Sequence, residues 1–162
     1  METKTAVYPG SFDPVTHGHI DIISRGLEIF DRVVVAVATN SEKRGLFSIS
    51  ERVDLLSRIF AHENRVEVVS FHGLLVDYLK GSGYKTILRG LRAISDFEYE
   101  FQIANMNVHL YPEVDSVFLM TSQKYFYISS SVVKEVAHYG GDVSAFVPEN
   151  VVHALKEKFN QE

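Results

Sequence analysis

The chemistry that this chain could support is concentrated first in Tyr8-Pro9-Gly10-Ser11-Phe12-Asp13-Pro14-Val15-Thr16-His17-Gly18-His19, which gathers two imidazoles and several hydroxyls around a turn punctuated by Pro9, Gly10 and Pro14. An apolar run, Thr5 to Tyr8, leads into it, and Ile20, Ile23, Leu27 and Phe30 follow at helical spacing. The pattern predicts a strand, a turn and a helix N-terminus. Unpartnered N–H groups and the positive end of the helix dipole favour phosphate at such a terminus. His19 is the sharpest candidate, because it falls in the first helical turn and Gly18 removes side-chain bulk beside it. Neither G-x-G-x-x-G nor G-x-x-x-x-G-K-[ST] occurs, so neither the dinucleotide fingerprint nor the Walker loop explains the site. Metal binding is the weaker reading: His17 and His19 do not share a helix face, and no third ligand joins them at a familiar spacing. Thr16 suits a helix cap as well as a ligand contact, and Asp13-Pro14 suits a plain turn.

Further cations and hydroxyls recur after later strand-like runs. Arg89 and Arg92 flank Gly90-Leu91, and planar guanidinium groups offer paired donors to phosphate oxygens. Lys43 lies in the polar stretch Thr39 to Gly45, where an exposed lysine is also the ordinary expectation. Ser129-Ser130-Ser131 opens a helical pattern and reads either as capping alone or as a second phosphate cradle.

These residues need a scaffold, and 162 residues suffice for one domain, 1–162, with a proper core. Arg32 to Ala38 is a continuous β-branched run, expected as a central strand of a parallel sheet. Val66 to Phe71, Thr86 to Leu88 and Ser116 to Met120 read as further strands. Ser48-Ile49-Ser50-Glu51 and Ser95-Asp96-Phe97-Glu98 both have capping-box spacing before helical patterns. A short helix through Leu79 stops at Gly81-Ser82-Gly83, another stops at Gly140-Gly141, and a last one begins at Pro148-Glu149. Strands alternating with helices predict an α/β, Rossmann-like, doubly wound five-stranded parallel sheet with helices on both faces. Ligands of such sheets bind beyond the carboxyl ends of the strands, where strand order reverses. The helix from about Ser95 to Leu110 carries two apolar stripes, Phe97, Phe101, Ala104, Val108 and Tyr99, Ile103, Met106, Leu110. It is expected either inside the core or, preferably, with one stripe against another subunit.

Zero cysteine excludes disulfides, thiolate nucleophiles and Cys-containing zinc sites. A formal net charge of −5 argues against general nucleic-acid binding but leaves anionic small molecules open. No apolar run approaches membrane-spanning length and no cleavable apolar region opens the chain. A cytoplasmic protein, with no membrane partner, is expected.

Taken together, Tyr-Pro-Gly-Ser-Phe-Asp-Pro-x-Thr-x-Gly-His, Arg89-Gly-Leu-Arg with Asp-Phe-Glu-Tyr-Glu, and Ile-Ser-Ser-Ser-x-Val-Lys-Glu closely resemble the bacterial phosphopantetheine adenylyltransferase family. The resemblance spans Tyr8 to Leu155. The T-x-G-H and I-S-S-S motifs alone indicate the wider nucleotidyltransferase superfamily; the block from Arg89 to Glu100 narrows it. The resemblance implies transfer of the adenylyl group of ATP to 4′-phosphopantetheine, giving dephospho-CoA and pyrophosphate, with Mg²⁺ carried by the nucleotide and a homohexameric assembly. It implies His19 as the group stabilising the transition state at the α-phosphate, with Ser11 and Phe12 beside the reacting phosphates. Lys43, Leu75 and Arg89 resemble acceptor contacts, with Ser11 touching both substrates. Gly90, Leu91, Arg92 and Glu100, with Tyr125, Phe126, Tyr127, Ile128, Ser129, Ser130 and Ser131, resemble the ATP site. Ser11 stands where the family often has Thr and Tyr125 where Trp is frequent; a hydroxyl and an aromatic face are kept.

Three other functions compete. A sister enzyme acting on nicotinamide mononucleotide or an alcohol phosphate would share T-x-G-H, but its later motif usually places Thr and Arg near the Ile-Ser pair. A non-catalytic nucleotide-sensing module is disfavoured by His19, Lys43, Arg89 and Ser130 occurring together. A class I aminoacyl-tRNA synthetase would need a tRNA-binding body for which the chain has no room.

Overall fold

The computed structural model describes residues 3–39 and 45–160, apart from the side chains of Ile94 and Ser95. Five strands, β1 (Thr5–Gly10), β2 (Arg32–Thr39), β3 (Val66–His72), β4 (Thr86–Leu91) and β5 (Asp115–Met120), form one all-parallel sheet in the order β3-β2-β1-β4-β5. The chain builds outward from β1 to β3, then crosses to the other side of β1 for β4 and β5. Strand order therefore reverses between β1 and β4, the position where open α/β sheets bind ligands.

The alternation of side chains along β2 divides the core. Val33, Val35 and Val37 face one layer and Val34 and Ala36 the other, all fully buried. Burial of each such valine contributes about 1.5–3 kcal/mol. The first layer packs under α1 (His17–Gly26), α2 (Ile49–Ile59), α5 (Ser130–His138) and α6 (Glu149–Asn160) through Ile22, Ile23, Leu56, Val133, Val151 and Leu155. The second packs under α3 (Leu75–Ser82) through Val76 and Leu79. The long α4 (Ile94–Leu110) lies along β4 and β5.

Two expectations change. β4 continues through Leu91, because Arg89, Gly90 and Leu91 pair with Phe118, Leu119 and Met120 of β5. Arg89 thus projects from a strand, whose backbone is fixed by its neighbours, and Gly90 lets α1 approach: a Cβ there would meet Ile22 Cγ1 at 2.8 Å. The second change concerns the start of α4. Ser48 and Glu51 do form the predicted capping box of α2, but the Ser95-x-x-Glu98 spacing does not open α4, which begins at Ile94 with Ala93 as its cap. Asp96 takes a different partner, accepting from the backbone N–H and Nε of Arg92, each at 3.2 Å.

α4 also has no place in the interior. Phe97, Tyr99, Phe101, Met106 and Leu110, drawn from both apolar stripes, are exposed on its surface, with Tyr99 reaching 64%. Of the two expected readings of this two-striped helix the core one falls, because hydrophobicity reports burial without saying against what.

Candidate active site

A cavity of about 480 Å³ opens at the reversal point, over the ends of β1 and β4 and the N-termini of α1 and α5. It is bordered by Ser11, Phe12, His19, Arg89, Gly90, Arg92, Glu100, Tyr125, Ile128, Ser129 and Ser130, so most of the expected site residues converge. Leu91 is buried in the strand, while Phe126, Tyr127 and Ser131 lie outside the lining, Tyr127 and Ser131 being exposed. Lys43 lies outside the described residues. A second cleft of about 240 Å³ adjoins the first, lined by Leu75 and the apolar side chains of Ile87, Ile103, Ala104 and Phe118. Ser11 and Arg89 border both spaces.

His19 is held by its own helix cap. Thr16 is the N-cap of α1 and His19 its N3 residue: the Thr16 hydroxyl accepts from the His19 backbone N–H, and His19 Nδ1 accepts from the Thr16 backbone N–H at 3.0 Å. A histidine thus fills the role that Glu or Gln takes in the usual box. Because Nδ1 accepts, the ring proton sits on Nε2, at the opposite side of the imidazole. The edge-to-face contact with Phe12, at 5.0 Å between centroids, fixes the ring plane. Burial, together with the positive charges of Arg92 and Arg89, lowers the His19 pKa to about 4. At neutral pH the site therefore presents a neutral, oriented N–H donor. His17 plays no comparable part; its backbone N–H donates to Phe146 and its ring lies near Tyr125.

Arg89 is clamped from two sides. Its Nε donates to Glu100 Oε2 at 2.7 Å, its Nη2 to Glu100 Oε1, and its Nη1 to the Pro9 carbonyl at 2.6 Å. Beside it, burial pushes the Tyr8 phenol up to about 12, so that hydroxyl stays protonated. Arg92 bonds Asp96 and reaches the Ile128 carbonyl. The serines are mostly committed to structure: Ser129 caps α5 through Val132 N–H, and Ser130 donates to the Pro14 carbonyl at 2.7 Å. What the start of α5 offers an anion is its backbone N–H groups.

Beneath the loop lies a cluster that sequence reasoning missed. Asp13, read as a turn former, is buried and accepts from Phe47 N–H at 2.9 Å, Leu46 N–H at 3.0 Å and Lys134 Nζ at 2.9 Å, with Arg52 Nε at 3.4 Å. Burial would raise its pKa, but the donors from Phe47, Lys134, Leu46 and Arg52 together hold it below the usual carboxylate value. Arg52 also donates to the carbonyls of Phe47 and Ser11. The cluster ties the β1–α1 loop to the 45–47 segment and α5. Gly45 leaves room for the guanidinium, since a Cβ there would lie 1.7 Å from Arg52 Nη2 and displace it. The loop itself passes through Phe12 at φ 47°, a left-handed conformation that few non-glycine residues adopt.

A doubly wound sheet with a histidine at the first helix N-terminus, one arginine on the adjoining strand and another just past its end, and a second helix N-terminus opposite defines a nucleotidyltransferase. The cytidylyltransferase-like family profile matches residues 7–136. More narrowly, the chain belongs to the phosphopantetheine adenylyltransferase family. It is 56% identical to the phosphopantetheine adenylyltransferase of Geobacter metallireducens over 161 residues, 99% of each chain. It is 54% identical to the proteins of that name from Anaeromyxobacter sp. strain K, over 98% of this chain and 96% of the relative, and from Clostridium botulinum strain Eklund 17B, over 92% and 94%.

Proposed function

We propose that this chain transfers the adenylyl group of ATP to 4′-phosphopantetheine, releasing pyrophosphate and dephospho-CoA. The observation carrying this is the junction of the two spaces at Ser11 and Arg89. The larger, polar cavity suits a nucleotide triphosphate, and the smaller, apolar cleft suits the methylene and amide arm of the acceptor, whose phosphate then meets the α-phosphate at the junction. Nicotinamide mononucleotide would place a second ribose and a charged ring in the apolar cleft.

An oxygen of the acceptor phosphate attacks Pα in line; the new O–Pα bond forms as the Pα–O bond to the β-phosphate breaks, and pyrophosphate leaves. The incoming phosphate is already a nucleophile, so the protein supplies alignment and charge stabilisation. His19 Nε2–H donates to the α-phosphate oxygens as charge gathers on them. Arg92 and the α5 N-terminus hold the nucleotide, while Arg89, with Lys43, holds the acceptor phosphate.

Among the described residues no group of three or more His, Asp or Glu is placed to hold a metal. The carboxylates bordering the cavity, Asp96 and Glu100, are engaged by Arg92 and Arg89. The donor set therefore fits Mg²⁺ arriving on the phosphates of ATP rather than a protein-held ion. Bound there, Mg²⁺ would neutralise phosphate charge. No helix among the described residues is long and apolar enough to cross a membrane.

Pyrophosphate release from ATP with each acceptor in turn tests the function. Turnover with 4′-phosphopantetheine is expected; turnover confined to nicotinamide mononucleotide favours the sister enzyme, and none with either favours a sensing module. Arg89→Ala should raise KM for 4′-phosphopantetheine by about 10–100-fold, the loss of a charge-assisted pair, and an unchanged KM moves that contact elsewhere. The exposed apolar residues of α4 are assigned to the contact between copies in a homohexamer. Light scattering at micromolar concentration should give a particle of six chains, and a monomer would contradict it.

A further inference from the structure

We infer that Asp21 and Arg25, on the flank of α1, are positioning residues for the nucleotide: they hold the segment after β5 that walls the larger cavity on the side of the base. The inference rests on the functional reading above. Neither side chain borders the larger cavity or the smaller cleft, so both act through the backbone they hold. Asp21 Oδ2 accepts from the Ser122 N–H at 3.3 Å and from Arg25 Nη1 at 3.4 Å, and the same Nη1 donates to the Met120 carbonyl at 2.5 Å. α1 thereby holds the chain on both sides of Thr121. As an i, i+4 pair near the surface the two charges would contribute little; what they supply is the two backbone contacts.

Thr121 and Tyr125 border the larger cavity and have no part in the lining of the smaller cleft. The Thr121 N–H donates to the Leu91 carbonyl at the end of β4, at 2.8 Å, and the Tyr125 N–H donates to the Ser122 carbonyl at 2.9 Å across a single 3₁₀ turn, Gln123–Tyr125. Where the Tyr125 ring stands therefore depends on where Ser122 is held. The start of α1 packs against the same residue, since a Cβ on Gly18 would lie 3.7 Å from Tyr125 Cβ. Around the larger cavity, His19, Arg89, Arg92 and the N-terminus of α5 suit phosphates, which leaves the Tyr125 ring to face the base. The helix that presents His19 from its first turn thus fixes, from its next two, the wall against which the base rests.

The test is calorimetric titration of wild type and Asp21→Ala with ATP, together with steady-state kinetics in which each substrate is varied in turn. Kd and KM for ATP should rise on the order of tenfold, while KM for 4′-phosphopantetheine stays within about twofold. Arg25→Ala should act in the same direction. Asp21→Asn, whose amide oxygen can still accept from Ser122, should keep Kd for ATP within about threefold of wild type. An unchanged Kd for ATP, an equal rise for both substrates, or an Asp21→Asn variant no better than Asp21→Ala overturns the inference. A merely structural role would move thermal stability without this split between substrates. Should Asp21→Ala not fold, Ser122→Pro removes the same N–H from the other partner, at a residue whose φ of −56° proline adopts, and is read in the same way. Wild-type protein that binds ATP but leaves 4′-phosphopantetheine unconverted would sink the functional reading alone, and the ATP titrations would still decide the role of Asp21. Wild-type protein that binds no ATP would overturn both.

Discussion

His19→Ala is expected to lower kcat by on the order of 10²–10³ while leaving ATP binding within a few-fold, as for loss of one donor aimed at developing charge. The expectation follows from how the ring is held. Thr16 N–H occupies Nδ1 at 3.0 Å and Phe12 packs edge-on, so Nε2–H is in place before the substrate arrives. A donor already oriented needs no reorganisation as charge develops on the α-phosphate. With its pKa lowered to about 4 by burial and by Arg92 and Arg89, His19 stays neutral in the free protein from about pH 5 upward. The pKa lies below the ordinary value of about 6.5. The unfolded chain therefore binds a proton that the folded chain refuses as pH falls from 6.5 towards 4, and His19 lowers stability in that window. Single-turnover rates and ATP titrations on the variant measure both quantities. Equal losses in binding and turnover would make His19 an ordinary binding residue.

Asp13→Ala should be the most destabilising single change near the site, costing about 3–5 kcal/mol, because it strands a buried partner cation and two backbone donors. For a chain of this size that lowers Tm by about 10 °C or more. Asp13 and Arg52 side chains are each 8% exposed, so solvent cannot replace the lost carboxylate. The released segments include Ser11 and the 45–47 stretch, and activity should fall even well below the melting temperature. The pH dependence has a definite sign. The folded pKa of Asp13 is lowered, so its stabilisation is present above the unfolded value of about 3.9 and is lost as pH falls through the folded value. Urea titrations should show a gap between wild type and Asp13→Asn at pH 7 that closes in strong acid. A variant with the wild-type midpoint at pH 7 would reduce the cluster to a surface ion pair.

Much of the scaffold was legible because its signals are local. The valine run of β2, the Ser48–Glu51 box and the glycine stops each follow from a few neighbouring residues, and alternation of strands and helices then implies the parallel sheet. His19 was legible through its place after a strand and turn. What escaped was set by partners distant in sequence. β4 runs through Arg89 to Leu91 because β5 supplies the pairing. Asp13 meets Arg52 and Lys134 from two other helices, and no spacing in the chain announces that meeting. The Thr16–His19 box was hidden for a different reason: the spacing is local, but a histidine stands where the rule looks for Glu or Gln. The pairing of both Glu100 oxygens with Arg89 likewise joins residues of two elements and appears only in the fold.

The central claim is that the protein aligns two phosphates and contributes no nucleophile of its own. Turnover of ATP made chiral at the α-phosphorus by sulfur and oxygen isotopes tests it most directly. A single in-line displacement predicts inversion of configuration in the adenylylated product. Retention would require two displacements and a covalent adenylyl-protein intermediate, and would contradict the account.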